Sequence, residues 1–140
     1  MRPVCISLLL MSLSLSVWAV PYEGQVIDRT LAVCLDRSSS DNKRLDCLDG
    51  ARDDWEELVE DLTDSVDDAL VARGLTEQRQ WHARLAAQWQ GYRAATLAGI
   101  NEACGQRCLR NQLETDLSLL RTRAKRLDAD LAGLVPASAR

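Results

Sequence analysis

Residues 55–70 read WEELVEDLTDSVDDAL. Trp55, Leu58, Val59, Leu62, Val66, Ala69 and Leu70 recur at steps of three and four. That spacing lays one apolar stripe along an α-helix of several turns. The stripe begins to read from Arg44 onward, and Gly74 stands where a helix C-terminus places a glycine. Thr76 is read as the cap of the next helix, with Glu77 suited to its positive end.

The rest of the chain follows the same period. Trp81, Leu85, Trp89, Tyr92, Thr96 and Ile100 are read as the stripe of a third helix that weakens near Gly99 and Gly105. Leu109, Leu113, Leu117, Leu120, Ala124, Leu127 and Leu131 mark a last helix from about Arg107 to Leu131. Before residue 44, Tyr22 to Arg37 predicts a short first helix with Val26, Ile27, Leu31 and Val33 on its apolar side, and Ser38 to Asn42 a turn. The prolines, Pro3, Pro21 and Pro136, leave the middle of the chain free of helix breakers. No alternating β-branched run is present. The expected fold is all-α: a small antiparallel helical bundle stapled by two disulfides. The short link at Gly74 makes the second and third helices an antiparallel hairpin. Trp55, Trp81 and Trp89, all on apolar stripes, are expected to be core rings rather than ligand platforms.

The chain opens MRPVCISLLLMSLSLSVWAVPYEG. One charge, Arg2, precedes an apolar stretch, and Val17 and Ala19 suit a cleavage site. This order predicts a signal peptide over 1–19. An uncleaved anchor is the alternative, but the apolar segment is shorter than the roughly 20 residues of a membrane span. No membrane insertion is expected after cleavage. The domains expected are therefore 1–19 signal, 20–132 a single helical domain and 133–140 a flexible tail. The expected location is periplasmic or secreted.

Removing the signal removes Cys5 and leaves Cys34, Cys47, Cys104 and Cys108. An even count in an oxidising compartment predicts two disulfides. Metal and redox readings find less support. His82 is the sole histidine available to complete a zinc site, and no C-x-x-C is present. No metal and no cofactor is expected. On one continuous helix, Cys104 and Cys108 would be strained partners, so Cys47–Cys104 and Cys34–Cys108 is the pairing favoured, among three connectivities.

Charge is unevenly distributed in a chain of formal net charge −4. Asp53, Asp54, Glu56, Glu57, Glu60, Asp61, Asp64, Asp67 and Asp68 occur with no basic residue among them, whereas arginine dominates after Leu70. Like charges one turn apart cost a few tenths of a kcal/mol each. Either cations inside the bundle or a cationic partner outside it should offset them. The acidic balance and the absence of a uniform basic face argue against nucleic acid. Nothing resembles a nucleophile elbow, a phosphate loop or a buried acid–base pair, so no enzyme activity and no catalytic residue is expected.

The chain resembles the LprI-type lysozyme inhibitor family of exported, helical, cysteine-containing domains. The resemblance covers about Cys34 to Leu127. It rests on Cys34 and Cys47, then on "QRQW" (Gln78, Arg79, Gln80, Trp81) and "WQGYR" (Trp89 with Tyr92 and Arg93), and finally on "CLRN…LLRTRAKRL" from Cys108. The family's tryptophan motif overlaps around one tryptophan. Here it is split over two turns, and Thr96 stands near where the family places a further cysteine. The resemblance implies a periplasmic binding protein that inhibits a cationic peptidoglycan hydrolase. In that role Glu56, Glu57, Glu60, Asp61 and Asp64 would steer the encounter, and Gln106, Arg107 and Arg110 would approach acids in the enzyme's cleft. The alternative is a structural or adaptor protein of the cell envelope, without inhibitory activity.

Overall fold

The computed structural model describes residues 21–134, which form four helices. They are α1 (Tyr22–Arg37), α2 (Asp41–Ala72), α3 (Thr76–Cys104) and α4 (Leu109–Leu134), with a single 3-10 turn, Gly105–Cys108, between the last two. The expected signal peptide and the end of the tail lie outside the described residues. Gly133 and Leu134, placed in the tail by the sequence reading, instead close α4, and the Leu134 carbonyl accepts a bond from Arg73 at 3.1 Å. Among the described residues no helix is long and apolar enough to cross a membrane.

Consecutive helices alternate in direction, so α2 and α4 run parallel. Arg110 at the start of α4 meets Asp41 at the start of α2, and Arg73 at the end of α2 meets Leu134 at the end of α4. These two helices make the core. Trp55, Leu58, Val59, Leu62, Val66 and Leu70 of α2 pack against Leu113, Leu117, Leu120, Ala124 and Leu127 of α4, all buried. Each fully buried leucine of this kind contributes roughly 1.5–3 kcal/mol.

The element ends follow local chemistry. Ser40 caps α2 by accepting from the Lys43 amide. At the other end Gly74 takes φ +68°, its N–H bonds the Val71 carbonyl, and the Leu75 N–H bonds that of Leu70. This is the glycine-terminated closure the sequence anticipates. The next cap differs from expectation. Leu75 is the N-cap of α3, with no side-chain bond, and Thr76 is already the first helical residue.

Helix α1 buries Leu31 in the same core and makes a particularly close approach to α2 near its start. Gly24 sits against the Trp55 ring, where a Cβ would collide with the indole. Trp55 is fully buried, and its Nε1 donates to Asp28 at 3.2 Å. Arg121 of α4 donates to the same Asp28 oxygen at 2.9 and 2.7 Å. One carboxylate thereby ties α1, α2 and α4 together.

The disulfides are Cys34–Cys47 and Cys104–Cys108. This corrects the favoured Cys47–Cys104 and Cys34–Cys108 pairing. The turn at 38–40 folds α1 back along α2, bringing the Cα atoms of Cys34 and Cys47 to 5.9 Å. At the second site the helix is not continuous. Gly105, with φ +53°, ends α3, and the 3-10 turn sets Cys108 5.6 Å from Cys104 by Cα. Both separations lie in the ordinary bridging range.

Candidate functional site

Helix α3 docks in an unusual way for a bundle helix. Its buried residues are His82 and Arg93, both polar. Arg93 inserts between α2 and α4 and bonds both. Its Nε donates to Asp116 Oδ1 at 2.6 Å and its Nη2 to Asp116 Oδ2 at 2.8 Å, a bidentate fork. Its Nη1 and Nη2 donate to the two oxygens of Glu56 at 2.6 and 3.2 Å. Asp116 is 3% exposed, so the pair is desolvated and depends on this complete bonding. The bonds to Asp116 and then Glu56 push Arg93 further above its ordinary basic range. The same Arg93 holds the Glu56 carboxyl below its usual value. One face of α3 is thus secured by a three-residue ionic node. His82 adds a contact nearly two helix turns from the start of α3, its Nε2 lying 3.2 Å from the Thr63 carbonyl.

A cleft of about 250 Å³ opens beside this node, lined by α2, α3 and α4 residues that include Glu56, Glu60, Asp64, Trp89 and Arg123. Two guanidiniums lie against the Trp89 ring, those of Arg93 and Arg123, each 5.7 Å from the ring centre. The Nε and Nη2 of Arg123 are buried with no hydrogen-bond partner. Burial lowers the basicity of Arg123, and the neighbouring Asp130 opposes that shift.

The acidic face is on α2. Asp54, Glu57, Glu60, Asp61, Asp64 and Asp68 are exposed and form no ion pair among the described residues. They fall within about 60° of one line on the helix, opposite the core stripe, and span about 21 Å. The other three acids are matched internally: Asp53 by Arg52, Glu56 by Arg93, and Asp67 by Arg79. Cations of the chain itself therefore match three of the nine acids and leave six without an ion pair among the described residues.

The predicted site residues separate accordingly. Glu57, Glu60, Asp61 and Asp64 share the open face, whereas Glu56 belongs to the ionic node. Arg107 is exposed within the 3-10 turn, and Arg110 is paired with Asp41 at 3.0 Å. From Asp41 to Glu60 is about 28 Å of helix, so these arginines lie apart from the acidic face. Of the motif residues, Gln78 is exposed, Arg79 is paired to Asp67 at 2.8 Å, and Trp89 and Arg93 enter the bundle. Trp81 and Tyr92 are 56% and 61% exposed, and Leu85 is exposed beside them, so the expected core stripe of α3 is not the buried one. The reason is rotational. Trp81 and Tyr92 lie about 20° apart around the helix, but Trp89 is about 80° from Trp81. The buried line runs instead through His82, Ala86, Trp89 and Arg93. Asp116, missed by sequence reasoning, left a signal: a carboxylate on the leucine stripe of α4, between Leu113 and Leu117.

Comparison with protein-family models, with curated proteins and with solved structures finds no match.

Proposed function

We propose that this chain is an exported binding module that captures a cationic protein on the acidic face of α2. The partner class named by the family resemblance is a lysozyme-like peptidoglycan hydrolase, and the location is the periplasm or the cell exterior. The observation that carries the reading is the row of six exposed carboxylates without internal partners. Closely spaced like charges repel along the helix, and a cationic surface relieves that repulsion while accelerating encounter. The bundle supports such a role. The Cys34–Cys47 bridge and the Arg93 node tie α2 to its neighbours, so little ordering cost falls on binding.

Calorimetric titration of purified protein into lysozyme, at about 0.05 M and about 0.5 M salt, tests the reading through the shortening of the screening length. Affinity should fall on the order of tenfold or more over that range, because exposed charge pairs are screened. The Glu57→Gln, Glu60→Gln, Asp61→Asn, Asp64→Asn variant should bind more weakly at low salt. Absence of binding by the unaltered protein at low salt sinks the hydrolase reading. Salt-sensitive binding with the enzyme's turnover unimpaired would assign the same face to an envelope adaptor.

A further inference from the structure

We infer that the chain forms an antiparallel homodimer through a lateral face of α3 that the single bundle leaves bare. The face consists of Trp81, Leu85, Gln88, Tyr92, Ala95 and Gly99, all exposed. They recur at alternating steps of four and three and stay within about 40° of one line. That is the geometry of a helix-pairing seam, about 27 Å long.

The order of side-chain sizes along the seam selects the occupant. Bulky residues, Trp81 and Leu85, stand at one end, and small ones, Ala95 and Gly99, at the other. A second copy running in the opposite direction matches each with its complement. Trp81 meets Gly99, Leu85 meets Ala95, and Gln88 meets Tyr92 beside the two-fold axis. A parallel copy would oppose tryptophan to tryptophan and leave a void at the glycine end. Gly99 has open space beyond it within its own chain, so nothing inside the bundle requires a glycine there. A glycine inside a helix is otherwise disfavoured. Such a pair is isologous, the arrangement a closed dimer needs.

Charge points the same way. Residues 80–101 contain no acidic residue, in a chain that is 27% charged and net negative. Arg93 is committed to the ionic node. Arg84 lies over Trp81, 5.4 Å from the ring centre, and in the antiparallel register its flank of the seam meets Gly91 and Ala98 rather than another charge. Depletion of charge around aromatic residues marks the centre of a protein interface.

Sedimentation equilibrium of the full mature chain, with circular dichroism as a check on folding, reads the inference directly. The unaltered protein should show twice the monomer mass. Leu85→Glu and Ala95→Lys, both at exposed positions, should each halve it while leaving helicity unchanged. Combined in one chain at low salt, the two substitutions place Glu opposite Lys twice across the axis and should restore the doubled mass. A monomeric unaltered protein at millimolar concentration overturns the inference. So does a dimer insensitive to Leu85→Glu, or a double variant that stays monomeric.

Discussion

Arg93 of α3 and Asp116 of α4 form a bidentate ion pair, with bonds of 2.6 and 2.8 Å, inside a helical bundle whose other buried contacts are mostly apolar. The pair explains how a helix with almost no buried apolar side chains stays attached. Desolvation of both groups offsets much of their attraction, so the net gain over an apolar pair is small. What the pair supplies is register: a fork that fits one carboxylate fixes the rotation and height of α3 on α4.

Removing one member should therefore cost far more than replacing both. Arg93→Met leaves Asp116 buried and uncompensated and should destabilise by about 3–5 kcal/mol. Arg93→Met with Asp116→Leu should recover most of that loss. Urea unfolding of the two single variants and the double variant measures the coupling. Losses that simply add would refute the pairing.

Glu56 supplies the acid-sensitive part of the node. Its carboxyl is held below the usual value by Arg93, so the folded state keeps it charged to lower pH than the unfolded state does. Its contribution is fully present above the unfolded value of about 4.3 and fades as pH falls through the lower folded value. The melting temperature should drop on acidification below that point. Glu56→Gln should lower it at neutral pH and flatten the acid slope. An unchanged slope in the variant would show that the Glu56 bonds to Arg93 do not form in solution.

Two glycines in helices should respond to alanine in opposite directions. At Gly24 the added methyl meets the Trp55 ring, itself locked by Asp28 and the core, so Gly24→Ala should cost about 1–3 kcal/mol. At Gly50 of α2 the methyl meets nothing, and Gly50→Ala should stabilise by about 0.5–1 kcal/mol through helix propensity. Thermal melts of the two variants make a paired comparison.

The contrast between α2 and α3 shows what the sequence discloses. In α2 and α4 the apolar residues keep to one line, and the buried set can be read from spacing alone. In α3 two lines coexist: a charged and aromatic one that the bundle buries, and an aromatic and small one that it leaves open. Spacing merges them, because the step from Trp81 through Leu85 to Trp89 drifts about 80° around the helix. Periodicity counts apolar side chains and passes over an arginine whose cost of burial is met by a carboxylate on another helix. Asp116 and Arg93 each break an expected pattern, yet only tertiary placement pairs them. The acidic face was legible, since carboxylates opposite a core stripe must face outward. Its division into paired and open acids was not, because the partners Arg79 and Arg93 come from a helix whose buried line spacing does not disclose.

The disulfide pairing failed for a related reason. Counting Cys104 and Cys108 as neighbours on one helix ignores how sharply a positive-φ glycine turns the chain, and Gly105 supplies that turn. Both bridges close local loops, with sequence separations of 13 and 4. The chain-entropy relation gives about 3 kcal/mol for the longer loop and about 2 kcal/mol for the shorter. Cys34→Ser with Cys47→Ser should accordingly destabilise more than Cys104→Ser with Cys108→Ser, by denaturant unfolding. The longer bridge also pins α1, which otherwise rests on the core through Leu31 and on the Trp55–Asp28 contact, so its loss should show first as increased amide exchange over Tyr22–Arg37. Peptide mapping of the unreduced protein gives the independent check. It should yield a peptide pair joining Cys34 to Cys47, and a pair joining Cys34 to Cys108 would contradict the fold-back of α1 along α2 that the first bridge closes.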